Sequence, residues 1–279
     1  MQTIAVLMTV HNRKDSTLEC LRRLSAQQQA DGCRTDIYMT DDGCTDGTPE
    51  AVAAEFPQVN IIRGDGNLFW NRGMYTAWDA AAKAKDYDYY LWLNDDTFVY
   101  PDMLATLLKV SDEKSNSAIV IGATQSRNHR QATYGGRLAD STIPTPCGQP
   151  VKVEYFNGNI VLIPRAVYRK LGNLDPYFTH SKGDFDYGLR AAKAGIAMFQ
   201  VGSFLGECEP HGSIDKWCDP DVPLSQRWKA LHRPNGMPPK EIFHFDKKHS
   251  SLFIAVFHYF TVYFRCLMPF IWTKRQHNR

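Results

Sequence analysis

The chain has 279 residues, a hydrophobic fraction of 43% and a formal net charge of +2. That length supports one large core or two small ones, and near-neutrality argues against a nucleic-acid binder. Its seven cysteines are odd in number, scattered and without a CxxC pair, so neither a zinc site nor a disulfide framework is indicated and reduced thiols are expected.

Residues 4–10 form a short apolar run rich in β-formers, broken by His11-Asn12-Arg13. That pattern predicts a buried strand entering a polar loop. The run has no basic leader and is too short for a signal peptide, so none is expected. Asp15 or Ser16 is placed to cap a helix whose apolar positions are Leu18, Leu21 and Leu24. Residues 37–40 make a second strand ending in Asp41-Asp42-Gly43-Cys44-Thr45-Asp46-Gly47-Thr48. The glycines there permit a tight turn, and Thr45 or Asp46 caps a helix over 49–55. A third strand is expected over 59–62.

The loop Gly64-Asp65-Gly66-Asn67-Leu68-Phe69-Trp70-Asn71-Arg72-Gly73 then leads into a helix over 74–85. Arg72, near the start of that helix, could meet a phosphate with help from the terminal N–H groups, and Gly66 and Asn67 join it as candidate donor contacts. Phe69 and Trp70 read either as site residues or as core plugs. The loop fits neither GxGxxG nor GxxxxGK[ST], which counts against dinucleotide and NTPase readings.

Tyr89-Tyr90-Leu91-Trp92-Leu93 runs straight into Asn94-Asp95-Asp96. An unbroken apolar run fits a strand buried on both faces, and its end delivers two carboxylates to the rim where open α/β sheets bind ligands. Strands alternating with helices predict parallel pairing, so the loops at 11–13, 41–43 and 94–96 should converge. Adjacent carboxylates repel unless a cation lies between them.

Residues 118–122 read as another strand, 124–151 as polar Gly/Pro-rich loops or hairpins, and 155–164 as a strand interrupted by Asn157-Gly158-Asn159. Gly183-Asp184-Phe185-Asp186 follows, with a helix expected beyond it and a strand over 198–201. Glu209-Pro210-His211 lies after that strand.

As a set these segments resemble the family 2 glycosyltransferases of the GT-A fold. The carriers are Met8-Thr9-Val10-His11-Asn12-Arg13, Asp41-Asp42-Gly43, Leu93-Asn94-Asp95-Asp96-Thr97, Leu171-Gly172-Asn173-Leu174-Asp175 and Gly183-Asp184-Phe185-Asp186. The likeness covers residues 3 to about 212 and is nearest to bacterial rhamnosyltransferase-type enzymes of surface polysaccharide assembly. It implies a mixed, mostly parallel α/β sheet flanked by helices, over residues 1–215. Residues 1–100 would bind nucleotide sugar, 101–215 the acceptor, and 216–279 would form a helical extension.

The resemblance also implies roles. Thr9, His11, Asn12, Arg13 and Asp42 would contact the nucleotide of a UDP- or dTDP-sugar. Asp96 would ligate a divalent metal, Mn²⁺ or Mg²⁺, with Asn94 and Asp95 beside it and His211 completing the shell. Asp184 would be the general base that takes the acceptor proton, Asp186 being the alternative. Gly183 departs from the Glu usual before the base. Leu224-Ser225-Gln226-Arg227-Trp228 is similar to the Gln-x-x-Arg-Trp signature of processive members, but Leu224 stands where the Gln belongs, which predicts single additions.

Residues 252–264 are almost all apolar or aromatic, followed by Arg265 and a basic end. That composition suits a segment lying in a membrane interface rather than spanning it, or one buried in a homodimer. A cytoplasmic enzyme, peripheral at the inner membrane face through residues 250–273, with a glycan or lipid-linked acceptor, is the resulting expectation. Two rivals are a sugar-1-phosphate nucleotidyltransferase, which needs glycines after the first strand that Val10-His11-Asn12-Arg13 lacks, and a metal-independent glycan-binding protein.

Overall fold

The computed structural model describes residues 1–27, 32–128, 131–210 and 214–271. Its strands are β1 (Gln2–Val10), β2 (Cys33–Asp41), β3 (Asn60–Arg63), β4 (Tyr89–Leu93), β5 (Phe98–Val99), β6 (Ile119–Gln125), β7 (Ala132–Tyr134), β8 (Gly136–Arg137), β9 (Val151–Lys152), β10 (Tyr155–Phe156), β11 (Ile160–Pro164) and β12 (Met198–Glu207). The helices are α1 (Lys14–Ser25), α2 (Thr48–Glu55), α3 (Phe69–Ala84), α4 (Met103–Glu113), α5 (Arg165–Leu171), α6 (Gly183–Lys193), α7 (Leu224–Leu231), α8 (Pro239–His249) and α9 (Leu252–Leu267).

The main sheet runs β3-β2-β1-β4-β11-β6-β12-β5. The first four strands are parallel, as the strand–helix alternation predicts. Only β11 and the short edge strands run against their neighbours. Alternation along the central strands divides the core. Val6, Met8, Leu91 and Leu93 face the layer of α1 and α4, whereas Leu7, Tyr90 and Trp92 face α3 and α6. Both sets are buried, which explains why β1 and β4 read as continuous apolar runs. Trp78 packs at 5.4–5.5 Å centroid distance from Tyr90, Trp92 and Tyr187, joining α3, β4 and α6.

Several boundaries differ from expectation for identifiable reasons. Helix α3 begins at Phe69, not at 74. It crosses β1 so closely that a Cβ on Gly73 would sit 2.1 Å from Thr9 Oγ1, so the glycine belongs inside the helix rather than before it. The strand expected over 155–164 is two strands, because residues 157–159 leave the ladder and Asn159 accepts the Asn94 N–H. Helix α6 starts at Gly183 and therefore carries Asp184 and Asp186 in its first turn. The expected cap of α1 at Asp15 or Ser16 is absent, since Arg13 holds the N-cap position without a side-chain bond.

Among the described residues no helix is long and apolar enough to cross a membrane. In the extension, Arg227 is buried and donates to the Cys266, Leu267 and Val222 carbonyls, pinning α7 to α9. That structural work explains an Arg-Trp pair outside a processive signature.

Candidate active site

The parallel pairing of β2, β1 and β4 brings their C-terminal loops to one rim. Asp42 is only 3% exposed. Its Oδ1 accepts the N–H groups of Gly66 and Leu68, and its Oδ2 that of Phe69 at 2.8 Å. Phe69 is held at a φ of +55°, a left-handed conformation that a bulky residue adopts only when its surroundings impose it. Asp42 thus organises the 64–69 loop. Oδ2 accepts a single N–H, so it keeps acceptor capacity on the side of the cavity that Asp42 lines.

The His11 ring meets the Asp42 carbonyl at 2.6 Å through Nδ1. Asn12 accepts the Thr45 N–H at 2.7 Å and so braces the first two loops against each other. A cavity of about 260 Å³ lies between these loops, lined by Thr9, His11, Arg13, Asp42, Gly66 and Trp70 among others.

Two expected donor contacts are placed elsewhere. Arg72 donates to the Pro176 and Tyr177 carbonyls, which commits its guanidinium to the 175–179 loop rather than to a phosphate. Asn67 is exposed, bonds among the described residues to Asp65 of its own turn, and is not among the residues that line the cavity. The earlier start of α3 turns Arg72 away, while Trp70 comes inward to donate its indole N–H to Asn94 Oδ1 at 2.7 Å.

At the acidic pair, one Arg13 nitrogen reaches Asp96 Oδ2 at 2.6 Å and Asp95 Oδ1 at 3.2 Å. Asp95 is 5% exposed. Burial pushes its carboxyl up to about 7; Arg13 opposes that shift and the neighbouring Asp96 adds to it. The Asp96 side chain is 27% exposed toward the cleft. Two adjoining carboxylates, one still short of positive charge despite an arginine, form an all-oxygen donor set that fits a hard divalent cation. His211 lies outside the described residues. Cys208 stands behind the pair with its Sγ 3.8 Å from Asp96 Oδ1.

A second cavity of about 620 Å³ opens beyond the pair and carries Asp184 on its wall. Arg13, Trp70, Asp95, His180 and Asn235 line both spaces, so they form one continuous cleft. Asp184 accepts the Gly158 N–H at 3.1 Å and the Phe185 N–H at 2.8 Å. Burial raises its carboxyl above the usual carboxylate range, and those N–H groups offset part of the shift.

Asp186 is different. It is fully buried and paired with Arg190 at 2.8 Å, Lys248 at 2.6 Å and His249 at 2.8 Å. Those bonds hold its carboxyl down to about 2 against its burial. It faces α8 instead of the cleft, which removes it as an alternative base.

Arg137, His180, Lys182 and Asn235 also line the outer cleft and were not singled out by sequence. They come from segments with no periodic or motif signal. Only the polar character of the 124–151 stretch hinted that β7 and β8 border the site.

The sequence model of the family described as glycosyl transferase family 2 matches residues 5–172, more than half of the chain. The chain belongs to that family. A hyaluronan synthase of Streptococcus pyogenes is 28% identical over 182 residues, covering 62% of this chain and 42% of that protein. The chain therefore spans less than half the length of that relative. Among solved structures, S. aureus TarS 1-349 in complex with UDP superposes with a TM-score of 0.56 at 13% identity, covering 88% of this chain and 70% of that one. The same protein in complex with UDP-GlcNAc gives 0.57 at 13%, covering 92% and 73%. At such identities the likeness is one of fold, and the fold is the GT-A arrangement. Sugar transfer is the level at which family 2 membership speaks; it does not specify a rhamnosyltransferase-type enzyme.

Proposed function

We propose that this family 2 enzyme transfers a sugar, with inversion, from a nucleotide-diphosphate donor to a glycan or lipid-linked acceptor in bacterial surface polysaccharide synthesis. The observation that carries the reading is a single cleft holding a loop-built cavity, the Asp95–Asp96 pair and a partly desolvated Asp184. The inner cavity between Thr9, His11, Gly66 and Trp70 receives the nucleoside. A UDP donor has the support of the UDP and UDP-GlcNAc complexes of the TarS neighbours.

Asp96, backed by Asp95, would hold the divalent metal, and its charge would offset the negative charge that grows on the departing diphosphate. Arg13 partly neutralises the pair, and a metal held there would compete with it for the same charge. Asp184 accepts the proton of the acceptor hydroxyl as that oxygen bonds to the anomeric carbon. The bond to the diphosphate breaks on the opposite face, so the configuration inverts. A carboxylate whose affinity for protons is raised by burial is a better base than one in water. The amide groups of Gly158 and Phe185 keep it aimed.

Peripheral membrane contact through α9 has its own support. Phe253, Phe257, Phe260 and Phe264 recur every three or four residues and are 45–80% exposed, forming a stripe suited to the headgroup boundary. If deleting residues 250–279 left membrane fractionation unchanged, that contact would be ruled out, and loss of a dimer on deletion would assign the stripe to a second copy.

The test of the transferase reading is a panel of nucleotide sugars scored for metal-dependent thermal stabilisation. A UDP- or dTDP-sugar should raise Tm only with Mn²⁺ or Mg²⁺ present. Stabilisation by free glycans alone, without nucleotide or metal, would overturn the reading in favour of a glycan-binding protein.

A further inference from the structure

The outer cleft contains two cations, Lys182 and Arg137, that form no contact ion pair among the described residues. Lys182 sits immediately before α6 with a φ of +74°, a left-handed turn that few side chains other than Asn, Asp and Gly accept readily. That turn sends its chain into the cleft beside Asp184 instead of out to solvent. Its ammonium lies 5.2 Å from the centre of the Phe185 ring and 5.4 Å from that of Phe245. Arg137, from β8, lies over the same Phe185 ring at 5.9 Å. Two like charges therefore flank one aromatic ring, and each makes the other less favourable.

The nearby carboxylates make their direct bonds to other groups, and none of them reaches contact distance of either cation. Asp95 and Asp96 share Arg13. Asp184 accepts two backbone N–H groups. Asp215 accepts the Trp217 indole N–H at 3.3 Å, and Asp246 is paired with His258 at 2.8 Å. Arg137 donates only to neutral oxygens, Asn157 Oδ1 and the Ser141 carbonyl. Among the described residues neither Lys182 nor Arg137 forms an ion pair. Burial depresses the Lys182 ammonium; the charges of Asp184 and Asp246 oppose that shift in part, and Arg137 adds to it. Leaving an unpaired cation in a cleft is costly unless the bound state supplies its partner.

We propose that Lys182 and Arg137 form an anion subsite, and that the acceptor carries a phosphate or carboxylate close to its reacting hydroxyl. The inference rests on the transferase reading and deepens it by naming the acceptor's class. Neither cation lines the inner, nucleoside-facing cavity, and Arg13 already stands at the pair that would serve the diphosphate. Both line the outer cavity together with Asp184, where an acceptor would lie in the transferase reading. A neutral acceptor offers these cations no charge to pair with. An anionic one forms charge-assisted hydrogen bonds with both.

The test is isothermal titration of the full-length protein with glucose 6-phosphate, glucuronate and glucose at constant ionic strength, without nucleotide, and separately with UDP plus Mn²⁺. We expect one or both anionic sugars to bind and glucose to bind at least tenfold more weakly. Which anion binds distinguishes a phosphate-bearing acceptor from a uronic one. Lys182→Asn keeps the left-handed turn and Arg137→Gln keeps the stem over the ring. Each should weaken the anionic sugar roughly tenfold, Lys182→Arg should restore it, and the UDP titration should not move. Equal binding of glucose and the anions, or no sugar binding at all, overturns the proposal. So does a loss of UDP affinity in both variants, which would assign the cations to the donor's diphosphate. Failure of UDP to bind the unaltered protein would count against the donor reading, and the sugar titrations would still decide the anion subsite.

Discussion

Arg13 reaches Asp96 at 2.6 Å and Asp95 at 3.2 Å, so one guanidinium nitrogen spans both carboxylates of the acidic pair. A divalent metal held by the pair would draw on the same two carboxylates. Arginine and metal are therefore competitors for the same negative charge, which makes their exchange measurable.

Replacing Arg13 with Ala should destabilise the metal-free protein by about 1 kcal/mol, a modest loss because the arginine side chain is half exposed, 46%. In a chain of this size that is a fall of about 2–4 °C in Tm. Mn²⁺ should then stabilise the variant more than the unaltered protein, since no guanidinium has to be displaced. Thermal unfolding with and without Mn²⁺ checks both. A variant that ignores Mn²⁺ would count against the pair as a metal site.

Asp42 holds three backbone N–H groups of the 64–69 loop on two oxygens. Asp42→Ala leaves those donors unsatisfied and releases Phe69 from its left-handed turn. We expect a stability loss of about 2–4 kcal/mol and UDP affinity at least tenfold weaker. Asp42→Asn should recover little, because its amide NH₂ would face a donor. Calorimetric titration with UDP, paired with urea unfolding, separates the two effects. Unchanged UDP affinity in a folded Asp42→Ala protein would show that the loop does not shape the donor site.

These relationships mark the limit of legibility. The strands were readable because apolar runs such as residues 89–93 are buried on both faces, and the convergence of the rim loops follows from parallel pairing alone. The acidic pair and Asp184 were readable as motifs. Their partners were not. Asp42 bonds to amides 24–27 residues away, and Asp186 to side chains 62–63 residues away. No local period encodes such contacts. Arg72 was misplaced because a helix crossing tightly over Thr9 tolerates Gly73 in its interior, so the glycine misled as a boundary. Lys182 was invisible since only its backbone angle turns it inward.

Asp184→Asn retains shape but cannot accept the acceptor proton. Turnover should fall by 10²–10⁴-fold, while UDP binding stays within twofold. Because burial raises the Asp184 carboxyl, its proton is lost at a higher pH than an ordinary carboxylate's. The rate should therefore fall on acidification already above the usual carboxylate range, and the variant should lack that limb. Single-turnover kinetics across pH provides the check. Near-normal turnover in Asp184→Asn would remove it as the base.

Asp186 ties α6 to α8 through Lys248 and His249, so its ionisation is a stability term for the segment that presents Asp184. Its folded carboxyl is held down to about 2, against about 3.9 in an unfolded chain. A depressed carboxyl contributes stability that is fully present above the unfolded value and is lost as pH falls through the folded one. The contribution is about 2 kcal/mol at neutral pH, disappearing between about pH 4 and pH 2. Asp186→Asn should cost about 3 kcal/mol or more at pH 7, because Arg190 and Lys248 would then face a neutral amide. Other carboxylates also titrate in acid, so the informative quantity is the difference between the two proteins. Urea unfolding from pH 7 to pH 2 should show that difference shrinking only below about pH 4. A constant difference across the range would mean that Asp186 acts through packing, with its charge contributing nothing.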